Sequence, residues 1–195
     1  TSIALRFERV QLSLAEPEDR PSAARDLLGI LRLEPRHLEA LRLLARLYDD
    51  DGKSGPALEL YRRYIESAEA VYLKRPEVLK VADLLQRAGR SAEGIEMCRS
   101  FLELVPDDER VLAELAELYL KSRDFPRVVG VLERIGNLQP GGASQARELR
   151  RIARLYWKDM QDLEEARTTL LSARECAPLD LDILDDLRQV CRKLG

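Results

Sequence analysis

Residues 49–61 read DDDGKSGPALELY, and two kinds of chemistry can be written on them. Three aspartates ahead of a glycine suggest a calcium loop, and Gly52-Lys53-Ser54 suggests the end of a phosphate-binding loop. A calcium loop with Gly52 in its sixth place needs an oxygen ligand first and a glutamate twelfth. Those places hold Leu47 and Leu58. A phosphate loop needs a glycine five residues before Gly52, again Leu47, and a strand leading into it. Both readings fail. What remains is a helix C-terminus, a glycine stop and a fresh helix with Pro56 in its first turn.

The other reactive residue types are as sparse. His37 is the only histidine, which excludes a histidine pair for catalysis and a multi-histidine metal site; a surface position is expected for it. Cys98, Cys176 and Cys191 are odd in number and far apart. They read as small buried hydrophobes in a reducing compartment, not as a disulfide framework or a metal knuckle. Asp107-Asp108 follows a proline, and Asp162 precedes Glu165 by three; both read as helix caps. No catalytic residue, metal site or cofactor is expected, and the chain is read as a non-enzyme.

The bulk composition frames this. The 195 residues are 45% hydrophobic, 34% charged and only 5% aromatic, a globular and helix-favouring mixture. A net charge of −3 gives no general attraction to nucleic acid or to an anionic membrane. No apolar run approaches the roughly 20 residues that a bilayer demands. The chain opens on Thr1-Ser2-Ile3, which is read as the start of a fragment of a longer protein or of a processed product. A cytoplasmic setting is expected.

Internal repetition is the strongest signal. The stretches LARLYDDDGKSGPAL (44–58), VADLLQRAGRSAEGI (81–95), LAELYLKSRDFPRVV (115–129) and IARLYWKDMQDLEEAR (152–167) each begin with an aliphatic residue and alanine. Each then places Tyr or Leu three residues after that alanine and breaks into turn-forming residues. A second apolar run follows, closed by prolines at 35, 106, 140 and 178. Apolar residues recur at three- and four-residue intervals, as Leu41, Leu44, Ala45 and Tyr48 do, so each run is a helix with one buried face. Alanine at 45, 82, 116 and 153 lets two helices approach closely. No run supports a strand.

The pattern resembles the tetratricopeptide repeat. One unit, about 109–142, matches through Leu112, Leu115, Ala116, Tyr119, Leu132, Ile135 and Pro140. Units near 38–71, 75–108 and 146–180 match with single departures, Glu69 replacing proline, Gly94 replacing the second small residue and one residue added in the last turn. A degenerate unit spans about 4–37 through Phe7, Val10, Leu14, Ala23, Leu27, Ile30 and Pro35. A capping helix, 181–194, is expected to turn Leu184 and Leu187 inward, with Arg188 at its small position. Because Glu69 replaces proline, the helix beginning near Pro56 is expected to run unbroken to Lys74, with Pro76 starting the next. The resemblance implies one all-α domain over 1–195, a right-handed superhelical solenoid of about five helix-turn-helix units.

It also implies a concave groove lined by the first helix of each unit. In the fifth unit that places Arg147, Arg150, Arg151, Arg154, Trp157 and Lys158 on the groove, with Glu117 on the flanking fourth unit. A basic strip beside the only tryptophan suits an acidic peptide or protein segment, with Trp157 as anchor. Glu117 and Asp185 are the acids expected to pair with Arg150, Arg151 or Arg154 if the strip is structural instead. The resemblance thus implies a protein–protein interaction scaffold or adaptor, with bacterial assembly, motility or secretion components and small GTPases among the settings. The alternatives are an RNA-binding helical repeat, opposed by the surrounding acids, and a regulatory segment of a larger enzyme. Self-association through either end is the remaining interaction.

Overall fold

The computed structural model describes residues 2–15 and 19–195, apart from the side chains of Leu14 and Ala15; Thr1 and the expected core position of Leu14 lie outside the described residues. Among the described residues the chain is built of α-helices joined by short turns, with no strand. It forms two compact units, Thr1–Met97 and Cys98–Gly195.

In the first unit, α1 (Ile3–Ala15) packs on α2 (Arg20–Leu33), α2 on α3 (Leu38–Asp50), α3 on α4 (Ser54–Ser67) and α4 on α5 (Val71–Arg87). Val10, Ala23, Leu27, Ile30, Leu41, Leu44 and Ala45 are fully buried. Arg9 Nε donates to Asp26 Oδ2 at 2.9 Å, so the buried Asp26 enters the interior already paired. His37 is more than a surface residue: its Nδ1 accepts from Ala40 N at 3.2 Å, capping α3, and its ring lies 5.6 Å from that of Phe7.

The expected continuous helix from Pro56 to Lys74 does not form. α4 stops at Ser67, Ala68 and Ala70 are extended, and α5 starts at Val71, so that Pro76 lies inside it. Burial accounts for the break: folding back brings Val81, Leu84 and Leu85 of α5 into the buried cluster that holds Tyr61 and Tyr64, whereas an unbroken rod would carry them away from it. Each such side chain gains about 1.5–3 kcal/mol when buried. Pro76, the sixth residue of α5, forgoes the hydrogen bond to the carbonyl of Tyr72 and crowds that carbonyl, a cost of about 3 kcal/mol that the burial of these side chains offsets.

α6 (Ser91–Leu104) carries Cys98 and Phe101, both buried. In the second unit, α7 (Glu109–Lys121) packs on α8 (Phe125–Leu138), α8 on α9 (Ala143–Leu155), α9 on α10 (Leu163–Cys176) and α10 on α11 (Leu181–Leu194). Leu112, Leu118, Leu132, Ile152, Leu170 and Ile183 are its largest fully buried side chains. The caps read from the sequence form: Asp108 accepts from Val111 N at 3.1 Å and Asp162 from Glu165 N at 3.1 Å. The alanines expected at the close approaches, Ala45, Ala82, Ala116 and Ala153, are at most 1% exposed.

The register of α11 differs from expectation. Ile183, Asp186 and Val190 form its buried face and Leu187 packs half-buried on the core as expected, while Leu184 is 36% exposed. A carboxylate replaces a leucine on the inner face because it meets two arginines there, described below. The cysteines divide as well. Cys98 is buried, and its thiol is pushed up to about 12 by that burial. Cys191, expected inside, is exposed.

Candidate binding site

Three of the helix-ending turns share one geometry. In α3, Gly52 N donates to Asp49 O at 2.9 Å and Lys53 N to Tyr48 O at 2.7 Å, with Gly52 at φ +73. Gly89 (φ +74) and Arg123 (φ +57) repeat it, with Arg90 N to Leu85 O at 2.8 Å and Asp124 N to Tyr119 O at 3.0 Å. This is the Schellman closure, a bond to the carbonyl five residues back through one left-handed residue. The DDDGKSG stretch is thus a turn, and its acids serve it and its neighbours: Asp51 pairs with Lys53 at 2.9 Å, and Asp49 with Lys80 at 2.6 Å.

The fourth such turn, after α9, is one residue longer. Tyr156–Met160 form a π-helical turn, Gln161 takes the left-handed conformation at φ +59, and Asp162 N reaches Tyr156 O at 2.8 Å, six residues back. The extra residue noticed in the sequence is absorbed here. Trp157 and Lys158 ride on this turn, the indole half-buried and the lysine exposed.

Three arginines of α9, Arg150, Arg151 and Arg154, are not free. Arg150 Nε donates to Asp186 Oδ2 at 2.6 Å, and its Nη1 bonds Asp182. Arg154 donates to both oxygens of Asp186 at 2.9 and 3.2 Å. Arg151 is shared between Glu148 at 2.9 Å and Glu117 at 3.1 Å. Burial works most strongly against ionisation of Asp186, yet the hydrogen bonds from Arg154 and Arg150 outweigh it and hold its carboxyl below the usual range. Asp185, expected to face the strip, instead accepts from Gln189 at 2.6 Å and lies 3.7 Å from Arg188.

Arg147, Trp157 and Lys158 remain outside these pairs. Arg147 is exposed. Trp157, Lys158, Gln161, Leu163 and Lys193 line a cavity of about 510 Å³. Lys158 Nζ stands 5.4 Å and Lys193 Nζ 5.3 Å from the indole centroid. Lys193, which α11 contributes, was not among the residues expected here. Among the described residues no group of three or more His, Cys, Asp or Glu could hold a metal ion.

The first unit has a polar cavity of its own, about 300 Å³, lined by Arg46, Asp49, Asp50, Tyr61, Pro76, Glu77 and Lys80. Glu77 is 4% exposed, and its Oε2 has no hydrogen-bond partner. Burial raises its carboxyl above the usual range, against the opposing pull of its own backbone N–H, Arg42 and Arg46. The same burial pushes the Tyr61 phenol up to about 12.

No protein-family model matches the sequence, and no curated protein sequence does. Solved structures do match in fold. YrrB, described as a TPR protein with an unusual peptide-binding site, aligns at 13% identity over 92% of this chain and 89% of its own, with a TM-score of 0.60. MamA from Desulfovibrio magneticus RS-1 aligns at 13% identity over 91% and 96%, with a TM-score of 0.61. A chain of the Naa15/Naa10 complex bound to HypK-THB aligns at 19% identity over all of this chain but 30% of its own length, with a TM-score of 0.64. Helical hairpins with alanine at their close approaches, matched along nearly the whole chain by these structures, give the conclusion that this protein has the tetratricopeptide repeat fold.

Proposed function

We propose that the chain is a non-catalytic interaction scaffold that recruits another protein. The observation that carries the reading is the fold itself: stacked helical hairpins leave long exposed helix faces, and the structures that share the fold include one described by its unusual peptide-binding site and one solved in a protein complex. In this reading 1–195 acts as one domain of repeats near 4–37, 38–71, 75–108, 109–142 and 146–180 with a cap at 181–194, in a cytoplasmic assembly.

The proposed contact surface is the face of α9 and its turn, namely Arg147, Arg150, Arg151, Arg154, Trp157 and Lys158, with Glu117 at its edge. An exposed guanidinium, an indole and an ammonium in succession suit a partner segment with acidic and apolar residues. The test is affinity capture of the native partner, then titration against Trp157→Ala and Arg147→Ala. At a central aromatic anchor the loss expected is about 2 kcal/mol or more in binding. Unchanged affinity in a variant with wild-type circular dichroism would overturn the assignment of this face.

A further inference from the structure

The turn after α9 departs from its three counterparts by a single residue, and that residue is held as a π-helical turn. Such turns are rare and recur at functional positions. Gln161 moreover occupies the left-handed region without being glycine, a conformation that costs an L-residue about 1–2 kcal/mol. The turn after α7 bears the same cost at Arg123, whereas the turns at Gly52 and Gly89 avoid it; what sets the turn after α9 apart is its added residue.

What it supports is electrostatically unusual. In a chain with 35 acids against 32 lysines and arginines, the cavity at Trp157 is lined by two ammonium groups and no carboxylate. Neither Lys158 nor Lys193 forms an ion pair with a described residue, whereas Arg150, Arg151 and Arg154 are engaged by Asp182, Asp186, Glu117 and Glu148. Two like charges gathered on one indole repel each other, and the ring's negative face offsets only part of that. An anion between them would remove the rest.

Deepening the recruiting role above, on which it rests, we infer that Trp157, Lys158 and Lys193 form a receptor for one carboxylate side chain of a partner segment. The π turn presents it, and the paired arginines of α9 serve as its scaffold. Lysine ammonium groups bind carboxylate and phosphate alike as point charges; the carboxylate is taken because it requires no modification of the partner, and the phosphoserine analogue below decides between the two. Leu163 and the indole supply an apolar wall, so the acidic residue is flanked by an aliphatic one.

The probe is N-acetyl-leucyl-glutamate amide, read by the fluorescence of Trp157, the only tryptophan. A saturable change is expected, weaker by about tenfold for the glutamine analogue, as the loss of a charge-assisted bond implies. It is expected to vanish in the Lys158→Gln/Lys193→Gln variant. Deleting Asp159 is expected to restore the five-residue closure and abolish the response. Equal responses to the two peptides, or survival of the response in the double lysine variant, would overturn the proposal; a stronger response to the phosphoserine analogue would overturn the choice of carboxylate. If a captured partner still binds the double lysine variant, this subsite fails while the scaffold stands. If the wild-type chain retains no partner at all, the scaffold reading fails with it.

Discussion

Arg154 Nε lies 2.9 Å from Oδ2 of Asp186, a residue 32 positions further along the chain. With Arg150 on the same carboxylate, this contact ties α9 to α11 across the edge of the second unit.

Removing the acid should therefore loosen the terminal helix. Asp186→Asn is expected to cost about 2–3 kcal/mol, the range for a hydrogen bond to a charged group that loses its partner. The carboxyl is held below its ordinary value, so its contribution is present above the unfolded-state pKa of about 3.9 and is lost as pH falls through the lower folded value. Urea melts at pH 7 and pH 2.5 would show it: the gap between wild type and variant should shrink at the acid end.

Glu77 carries the opposite sign. Its folded pKa is raised, so the native state holds the proton more tightly than the unfolded chain, and stability falls as pH rises from about 4.3 through the folded value. Glu77→Gln should leave stability nearly unchanged at pH 4 and raise it at pH 7. A thermal-melt series across that interval in which the two proteins run parallel would contradict this.

Arg123 and Gln161 hold the left-handed position that Gly52 and Gly89 fill elsewhere. Arg123→Gly should stabilise the chain by about 0.5–1 kcal/mol, the strain relieved less the added freedom of the unfolded glycine. Ser122→Gly, one position earlier and outside the left-handed region, should do the reverse. Paired denaturation midpoints decide it.

The Arg151–Glu117 pair is 40% and 47% exposed, and a double-mutant cycle should yield a coupling of about 0.5 kcal/mol or less, reduced by salt. Glu117→Gln would then separate a binding role from a structural one. Partner affinity should move while the melting temperature hardly does.

The hairpins could be read from the residues because their causes are local. Alanine at 45, 82, 116 and 153, the caps Asp108 and Asp162, and the glycine stop at 52 each act within a turn or two of themselves. The break at 68–70 carries no glycine or proline, and only the pull of the apolar residues of α5 back onto Tyr61 and Tyr64 imposes it. On α11 Leu187 packs inward as expected, but Leu184 was misjudged because Leu184 and Ile183 are equally apolar. What selects between them is Asp186 meeting arginines more than thirty residues away, a long-range fact that no window contains. Lys193 reaches the indole from another helix, which no local spacing announces, whereas Trp157 and Lys158 could be found from the helix that bears them.

The longer closure after α9 also bears on how the molecule opens. Three hairpins are locked by amides bonded five residues back, and the fourth by a wider ring. Deuterium should enter this last loop first, within the low-energy fluctuations that precede global unfolding. The indole would then sit on the softest joint of its unit, free to adjust to what it touches while the neighbouring arginines keep the frame in register.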